Sequence, residues 1–304
     1  MARGYTAGDP NARLESAMYA VTGITGQVGS AVANSLLELD QKVRAMVRNP
    51  DRAGDWAAKG CELAQADFAD SAALVRAFTG VDGVFILIPP MFDPSPGFPE
   101  VRAIIGTLRT ALETARPPKI VCLSTIGAQA TEPNLLNQLG LVEQGLSTLP
   151  FPIAFLRAAW FMENSRWDVA SARAGTMPSF LRPVEKAVPM IATADIGRLA
   201  AKLLQEDWTG RRIVELESRH RVTPIEMAAA FTRILGRDVR TEVVARETWH
   251  DLFAAQGMKN PTPRIQMLDG FNEGWIAFER DGTEYVLGET LFETVAAELV
   301  RRAG

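Results

Sequence analysis

Tyr19 to Leu37 reads YAVTGITGQVGSAVANSLL, and few folds accommodate it. The run MYAVTG is apolar enough for a buried strand, and Val28, Val32, Leu36 and Leu39 then recur at helical spacing. Between them Gly23, Gly26 and Gly29 fall three apart, G-x-x-G-x-x-G, where the familiar dinucleotide fingerprint is G-x-G-x-x-G. Glycine tolerates positive φ and lets a phosphate approach the backbone. A helix beginning near Gln27 or Val28 would aim its free N–H groups and positive dipole end at that phosphate. Gly29, on the first turn, would let helix and strand pack closely. The turn is therefore expected to cradle a dinucleotide through Gly23, Thr25, Gly26, Gln27, Val28 and Gly29. The plainer alternative is a strand-to-helix turn whose glycines are incidental.

The same rhythm continues downstream. KVRAMV, CELAQAD, GVFILI, KIVCLS and PIAFLR read as strands. SAALVRAF, PEVRAIIGTLRTALETA and NLLNQLGLVEQGL read as helices between them, with Asp70 or Ser71 capping the first. Apolar strands alternating with helices predict an α/β fold, a Rossmann-type doubly wound parallel sheet covered on both faces. Right-handed crossovers would gather the loops that follow the strands at one edge, where a ligand binds. After residue 156 the rhythm breaks, and it returns only in DIGRLAAKLLQ and RIVELES. The expected organisation is a polar N-terminal tail over 1–17, a nucleotide-binding domain over 18–156 plus about 189–216, and a smaller, mostly helical lobe from 157–188 plus 217–304.

Composition narrows the function classes. Of 304 residues, 47% are hydrophobic, enough for one or two sizeable cores. The net charge of −4 is spread along the chain, so direct nucleic-acid binding, which wants a basic stripe, is not expected. Two cysteines in apolar contexts read as buried thiols, and two histidines leave no metal-ligand spacing. The apolar run GVFILIPPMF is too short to span a bilayer, and the N-terminal stretch lacks the apolar core of a signal peptide. The expectation is a cytoplasmic protein with no membrane partner and no metal, acting on a small-molecule substrate or a regulatory protein partner.

Arg48 sits where the second strand ends, in AMVRNP. Dehydrogenases that use NAD commonly carry an acidic residue about 20 residues past the glycine turn, to hold the ribose 2′-hydroxyl. A carboxylate would repel a 2′-phosphate, whereas a guanidinium binds it with a fork of donors. Arg48, with Arg52 in support, therefore points to NADP(H); the alternative is a solvated loop arginine. Ile88 and Pro89, ending the fourth strand, would line the cofactor groove.

VTGITGQVGSAV resembles the glycine turn of the extended and atypical short-chain dehydrogenases. VRNP, ADFAD, FILIPP, LST, LRAAWFMEN and ADIGRLAAKLL then follow in the order typical of the NmrA-like family, over roughly 18–220. The resemblance implies that Asp67 and Phe68 flank the adenine, although Asp67 reads equally as a turn or helix cap. It places Ser124 or Thr125 at the strand end where the family has its serine, against the cofactor, as weak catalytic candidates. It also sets Trp160, Phe161 and Asn164 beside the nicotinamide as substrate-pocket residues, Asn164 being equally a cap. Asp195 reads as a helix cap, and His220 and His250 as surface or interlobe residues.

One family element is missing. Standard short-chain dehydrogenases pair a tyrosine with a lysine four residues on, and the pair supplies a proton to the substrate oxygen. None of Tyr5, Tyr19 and Tyr285 has such a lysine, and Glu143 and Gln144 stand where some reductase relatives carry Glu-Lys. Two functions stay compatible: an NADPH-dependent reductase of an activated acceptor such as a quinone or iminium, or a non-catalytic NADP(H)-binding redox sensor or regulatory protein of NmrA type.

Overall fold

Apolar strands that must be covered on both faces build a layered molecule, as the computed structural model shows for residues 16–303. The expected N-terminal tail lies outside the described residues, save for its last two positions. Strands β1 (Met18–Val21), β2 (Lys42–Val47), β3 (Glu62–Gln65), β4 (Gly83–Ile86), β5 (Ile120–Thr125) and β6 (Ile153–Ala158) come from the first half of the chain. They alternate with α1 (Gln27–Glu38), α2 (Gly54–Ala58), α3 (Ser71–Phe78), α4 (Pro99–Ala115) and α5 (Asn137–Leu146). Then follow β7 (Trp160–Phe161), α6 (Val169–Ala174), β8 (Thr176–Ser179), β9 (Met190–Ile191), α7 (Thr193–Gln205), β10 (Arg211–Ser218), α8 (Pro224–Leu235) and β11 (Arg240–Val243). The chain continues through α9 (Trp249–Ala255), α10 (Thr262–Glu273), β12 (Glu284–Gly288) and α11 (Phe292–Arg302).

Eight strands form one sheet in the order β12-β10-β6-β5-β4-β1-β2-β3, and every neighbouring pair is parallel. Strand order reverses between β1 and β4, so a crevice opens there at the C-terminal edge. Val21, Phe85, Val121, Leu123 and Leu156 face α1 and α7. Ala20, Ile86, Cys122 and Phe155, at the alternate positions, face α3, α4 and α5. Asp70 caps α3 by accepting from the Ala73 N–H, as expected, and Thr223 and Glu226 close a capping box on α8.

Beside the main sheet, over the stretch expected as a smaller lobe, stand the short pairs β7–β9 and β8–β11 and the helices α6, α8, α9 and α10. Trp249, Phe253, Ile265 and Leu268 form a separate small core there, with Phe180 stacked on Phe253 at 5.3 Å between centroids. One stretch assigned to the lobe from the sequence lies elsewhere. Within 217–304, β12 pairs with β10 and extends the main sheet. As an edge strand it leaves Tyr285 and Leu287 exposed, so it lacks the continuous apolar run by which buried parallel strands are read.

Candidate functional site

The turn at the crevice is built around two glycines that the packing itself demands. Gly23 has φ +64°, and a Cβ there would lie 2.3 Å from Leu87 Cδ2. At Gly29 a Cβ would lie 2.2 Å from the Gly23 carbonyl oxygen, so helix and turn close on one another only without a side chain. Gly26 differs: its backbone is extended, and the nearest atom to an added Cβ is 3.3 Å away. Its missing side chain leaves the start of α1 bare. The Gly26 N–H donates to Gly23 O at 2.9 Å, no side chain caps α1, and its first turn carries no acidic residue. Thr25 and Gly26 are exposed and Gln27 is half-buried. Val28 packs in the core and presents only its backbone. A bare, uncapped helix start beside a strand end fits a dinucleotide pyrophosphate. Thr22 holds the β1 and β4 loops together: its hydroxyl accepts from Leu87 N at 2.7 Å and donates to Leu87 O at 3.1 Å.

Arg48 follows β2 directly, is exposed, and pairs with no carboxylate among the described residues. It lines a shallow depression with Gln65, Asp67, Asp70 and Arg76. Asp67 is exposed and accepts from Ala69 N at 2.9 Å, so its carboxylate shapes the turn after β3. Phe68 is buried under the α3–α4 side of the core. Ile88 is buried and Pro89 exposed at the start of the β4 loop; Arg52 is exposed on the 3-10 turn Pro50–Arg52.

At the tips of β5 and β6 stands a buried polar network. Ser124, 4% exposed, donates its hydroxyl to Glu143 of α5 at 2.5 Å. Arg157 grips Glu143 with two bonds, Nε to Oε1 at 2.9 Å and Nη2 to Oε2 at 2.7 Å, and reaches Glu279 at 2.7 Å. Burial works against the Arg157 charge, but hydrogen bonds to Glu143 and Glu279 outweigh it and raise its pKa. Beside it Glu215, fully buried, accepts from the backbone N–H groups of Glu279 at 2.8 Å and Arg280 at 3.1 Å. The Ser124 hydroxyl is thus committed to a carboxylate. Thr125 is half-buried at the tip of the strand.

Trp160 and Phe161, both half-buried, form β7 next to the β6 tip, with Trp160 edge-on to Phe271 at 5.1 Å. Asn164 is exposed on the 3-10 turn Met162–Trp167. Its neighbour Glu163 accepts from Thr193 N at 2.9 Å and Thr193 Oγ1 at 2.6 Å. Burial, the larger influence, pushes the Glu163 pKa up despite those bonds. Asp195 is not a cap for α7, whose first residue is Thr193. Its carboxylate points across to the loop after β12 and accepts from Thr290 N at 3.0 Å. His220 and His250 are exposed.

A cavity of about 210 Å³ lies between the β5 tip and the lobe. Ile126, Pro189, Phe271 and Phe278 give it apolar walls, and Lys186, Arg221 and Arg280 line it as well. The sequence carried no periodicity that would have gathered these residues, because they come from helix α10 and from loops remote from one another in the chain. Among the described residues no group of three or more His, Cys, Asp or Glu is placed to hold a metal ion, and no helix is long and apolar enough to cross a membrane.

A glycine-lined turn at the switch point of a parallel sheet is the arrangement of a Rossmann-type dinucleotide-binding fold. Residues 23–207 match the family model described as NAD(P)H-binding, and the chain belongs to that family. It is 27% identical over 258 residues to an NAD(P)H azoreductase of Xenophilus azovorans, covering 84% of this chain and 85% of that one. It is 29% identical over 226 residues to quinone oxidoreductase 2 of Escherichia coli strain K12, covering 73% and 76%. The solved structure of an NADPH-dependent quinone oxidoreductase from Escherichia coli complexed with NADPH superposes with a TM-score of 0.74 at 23% identity, over 94% of this chain and 99% of that one. A mutant NmrA shares the fold as well, with a TM-score of 0.71 at 18% identity over 95% and 96% of the two chains.

Proposed function

We propose that the protein is an NADPH-dependent reductase of activated acceptors, quinones and iminium-type compounds foremost. The observation that carries this reading is the pairing of a bare glycine cradle with an aromatic-walled cavity at the β5 tip. The relatives named for azo and quinone reduction support it. The chemistry the cofactor supplies is hydride donation: two electrons and a proton pass to the quinone, and water supplies the second proton of the hydroquinone. An acceptor of that kind needs no strong acid from the protein. The chain's own contribution is then to bind and orient. The start of α1 holds the pyrophosphate, Arg48 takes the 2′-phosphate, and Trp160 and Phe161 wall off the reacting rings from water. Cytoplasmic placement belongs to the same reading.

A second reading, a cofactor-binding sensor of NmrA type, is favoured by one feature. The Ser124 hydroxyl is turned into the Glu143–Arg157 network, away from any acceptor. Spectrophotometric NADPH oxidation against a panel of quinones and azo compounds separates the two. The reductase reading expects saturable turnover with at least one acceptor class. No turnover across the panel, with NADPH still bound, would leave the sensor.

A further inference from the structure

The cavity at the β5 tip has a chemical character beyond its apolar walls: three cations line it and no carboxylate does. Two of the three are partly neutralised. Arg221 and Arg280 share Glu217, at 2.7 Å from Arg221 Nε and 2.9 Å from Arg280 Nη2. Burial would raise the Glu217 pKa, but the Arg221 and Tyr285 hydrogen bonds hold it below its usual range, so it stays ionised between them. Two guanidiniums on one carboxylate leave a surplus positive charge at the lining, while the Arg157 network with its three carboxylates lies behind the wall and does not line the cavity. Lys186 adds another. It pairs with no carboxylate among the described residues, and Nζ donates to the carbonyls of Phe271 at 2.9 Å and Asn272 at 2.7 Å. An ammonium has three donors, so one remains.

A plainer account is that Lys186 only terminates α10, whose last carbonyls it contacts. That accounts for two donors and the helix's partial charge; the full ammonium charge, the third donor and two arginines on the same cavity are left over. The wall is also fixed in place. Glu215 holds the backbone N–H groups of Glu279 and Arg280, Arg157 reaches Glu279, and Gln129 Nε2 donates to Ala277 O at 2.8 Å. Such a wall costs little ordering when a ligand enters. Its position follows from the sheet: Ile126 comes directly after β5, Pro189 O accepts from Trp160 N at 3.2 Å, and Phe271 lies edge-on to Trp160.

We infer that this cavity is the acceptor subsite, and that it selects compact planar aromatic acceptors bearing an anionic substituent, a carboxylate or sulfonate received by Lys186 Nζ with Arg221 and Arg280 beside it. The inference rests on the reductase reading for the word acceptor, but the anion selectivity can be tested without turnover. A volume of about 210 Å³ is small for a ligand site and limits the occupant to a one- or two-ring system.

The test compares naphthalene sulfonate with the neutral naphthalene methanol, titrated calorimetrically into the full-length protein in the presence of NADP. The sulfonate is expected to bind roughly tenfold tighter, the order of one charge-assisted hydrogen bond. That preference should shrink with added salt, and it should be lost in Lys186→Met and reduced in Arg221→Gln. The second variant decides the matter if loss of the α10 contact prevents Lys186→Met from folding. In parallel, KM is measured for a naphthoquinone and its sulfonate. Equal binding of the charged and neutral probes in the unmodified protein overturns the inference, as does a preference that survives both substitutions. If both quinones turn over with equal KM, the subsite assignment fails and the reductase reading stands. If neither these two nor any acceptor of the panel turns over and the sulfonate still binds through Lys186, the anion site stands and the reductase reading fails.

Discussion

Three glycines at one spacing do different jobs, and single substitutions can separate them. Gly29→Val forces a side chain into the Gly23 carbonyl, 2.2 Å from where its Cβ would sit, so loss of fold is the expected outcome. At Gly26 an added Cβ would lie 3.3 Å from the Gly23 carbonyl oxygen, a tight contact that a shift of a few tenths of an ångström relieves, so Gly26→Val should fold, yet it covers the α1 start and should abolish nucleotide binding. Thermal melting together with NADPH fluorescence titration checks both; a folded Gly26→Val that binds NADPH at the unmodified affinity would place the pyrophosphate elsewhere. On the proposed reading, Arg48 carries the cofactor choice. A hydrogen bond to a charged group is worth roughly 1.5–3 kcal/mol, and exposure favours the lower half, about tenfold in Kd. NADPH should therefore bind at least that much tighter than NADH at low salt. Arg48→Asp should bring NADH level or ahead, and indistinguishable titrations of the two cofactors on the unmodified protein would remove Arg48 from the site. The glycine turn was legible as a turn because local backbone chemistry decides it. Lys186, Arg157 and Phe271 were not, because their roles exist only once a loop, a strand and a helix distant in sequence meet.

At the level of elements, the alternation of strands and helices was readable because each buried strand is apolar almost throughout. The exceptions occur where burial is achieved by polar groups. Ser124, Arg157 and Glu215 stand side by side across β5, β6 and β10, in the registers Ser124 with Arg157 and Arg157 with Glu215. A loop with its own N–H groups covers that face where the helices stop. An apolarity pattern has no way to anticipate a fully buried glutamate satisfied by a loop arriving some 60 residues later. β12 was missed for the complementary reason, being an edge strand with exposed side chains. The network makes a stability prediction. Arg157→Met leaves Glu143 buried without its bidentate partner, and removing one member of a buried pair costs about 3–5 kcal/mol. Urea unfolding should show a loss of that order, and a loss below about 1 kcal/mol would mean the pair is solvated in solution. Glu143→Gln, which can still accept from Ser124 and Arg157, should cost less.

Across the whole molecule, the loop after β4 connects the two halves. It leaves the crevice at Ile88 and Pro89 and ends in contact with the segment between α9 and α10. Asp93 accepts from Lys259 N at 2.9 Å and Asn260 N at 2.7 Å, and Asn260 Nδ2 donates to Pro94 O at 2.8 Å. The loop thus spans from the sheet edge to the lobe, on the side where a dinucleotide would lie. The backbone N–H groups of Lys259 and then Asn260 hold the Asp93 carboxyl below its ordinary pKa. The sign follows from that depression: the anchor is fully present above the usual aspartate range and is lost as pH falls through the lowered value. At neutral pH the anchor is closed, and the contact is local, so its loss should loosen two loops without touching the sheet. Asp93→Ala is expected to raise amide exchange in 90–98 and 258–261 by about tenfold, since a few hydrogen bonds separate open from closed there. Protection of β1, β4 and β5 should stay unchanged, and Asp93→Asn, which keeps one acceptor oxygen, should fall between. Exchange mass spectrometry of the three proteins at neutral pH, then of the unmodified protein over a pH series that descends through and well below the ordinary aspartate range, reads both effects. Loop protection that is identical in Asp93→Ala would mean that apolar packing, not this carboxylate, joins the halves across the crevice.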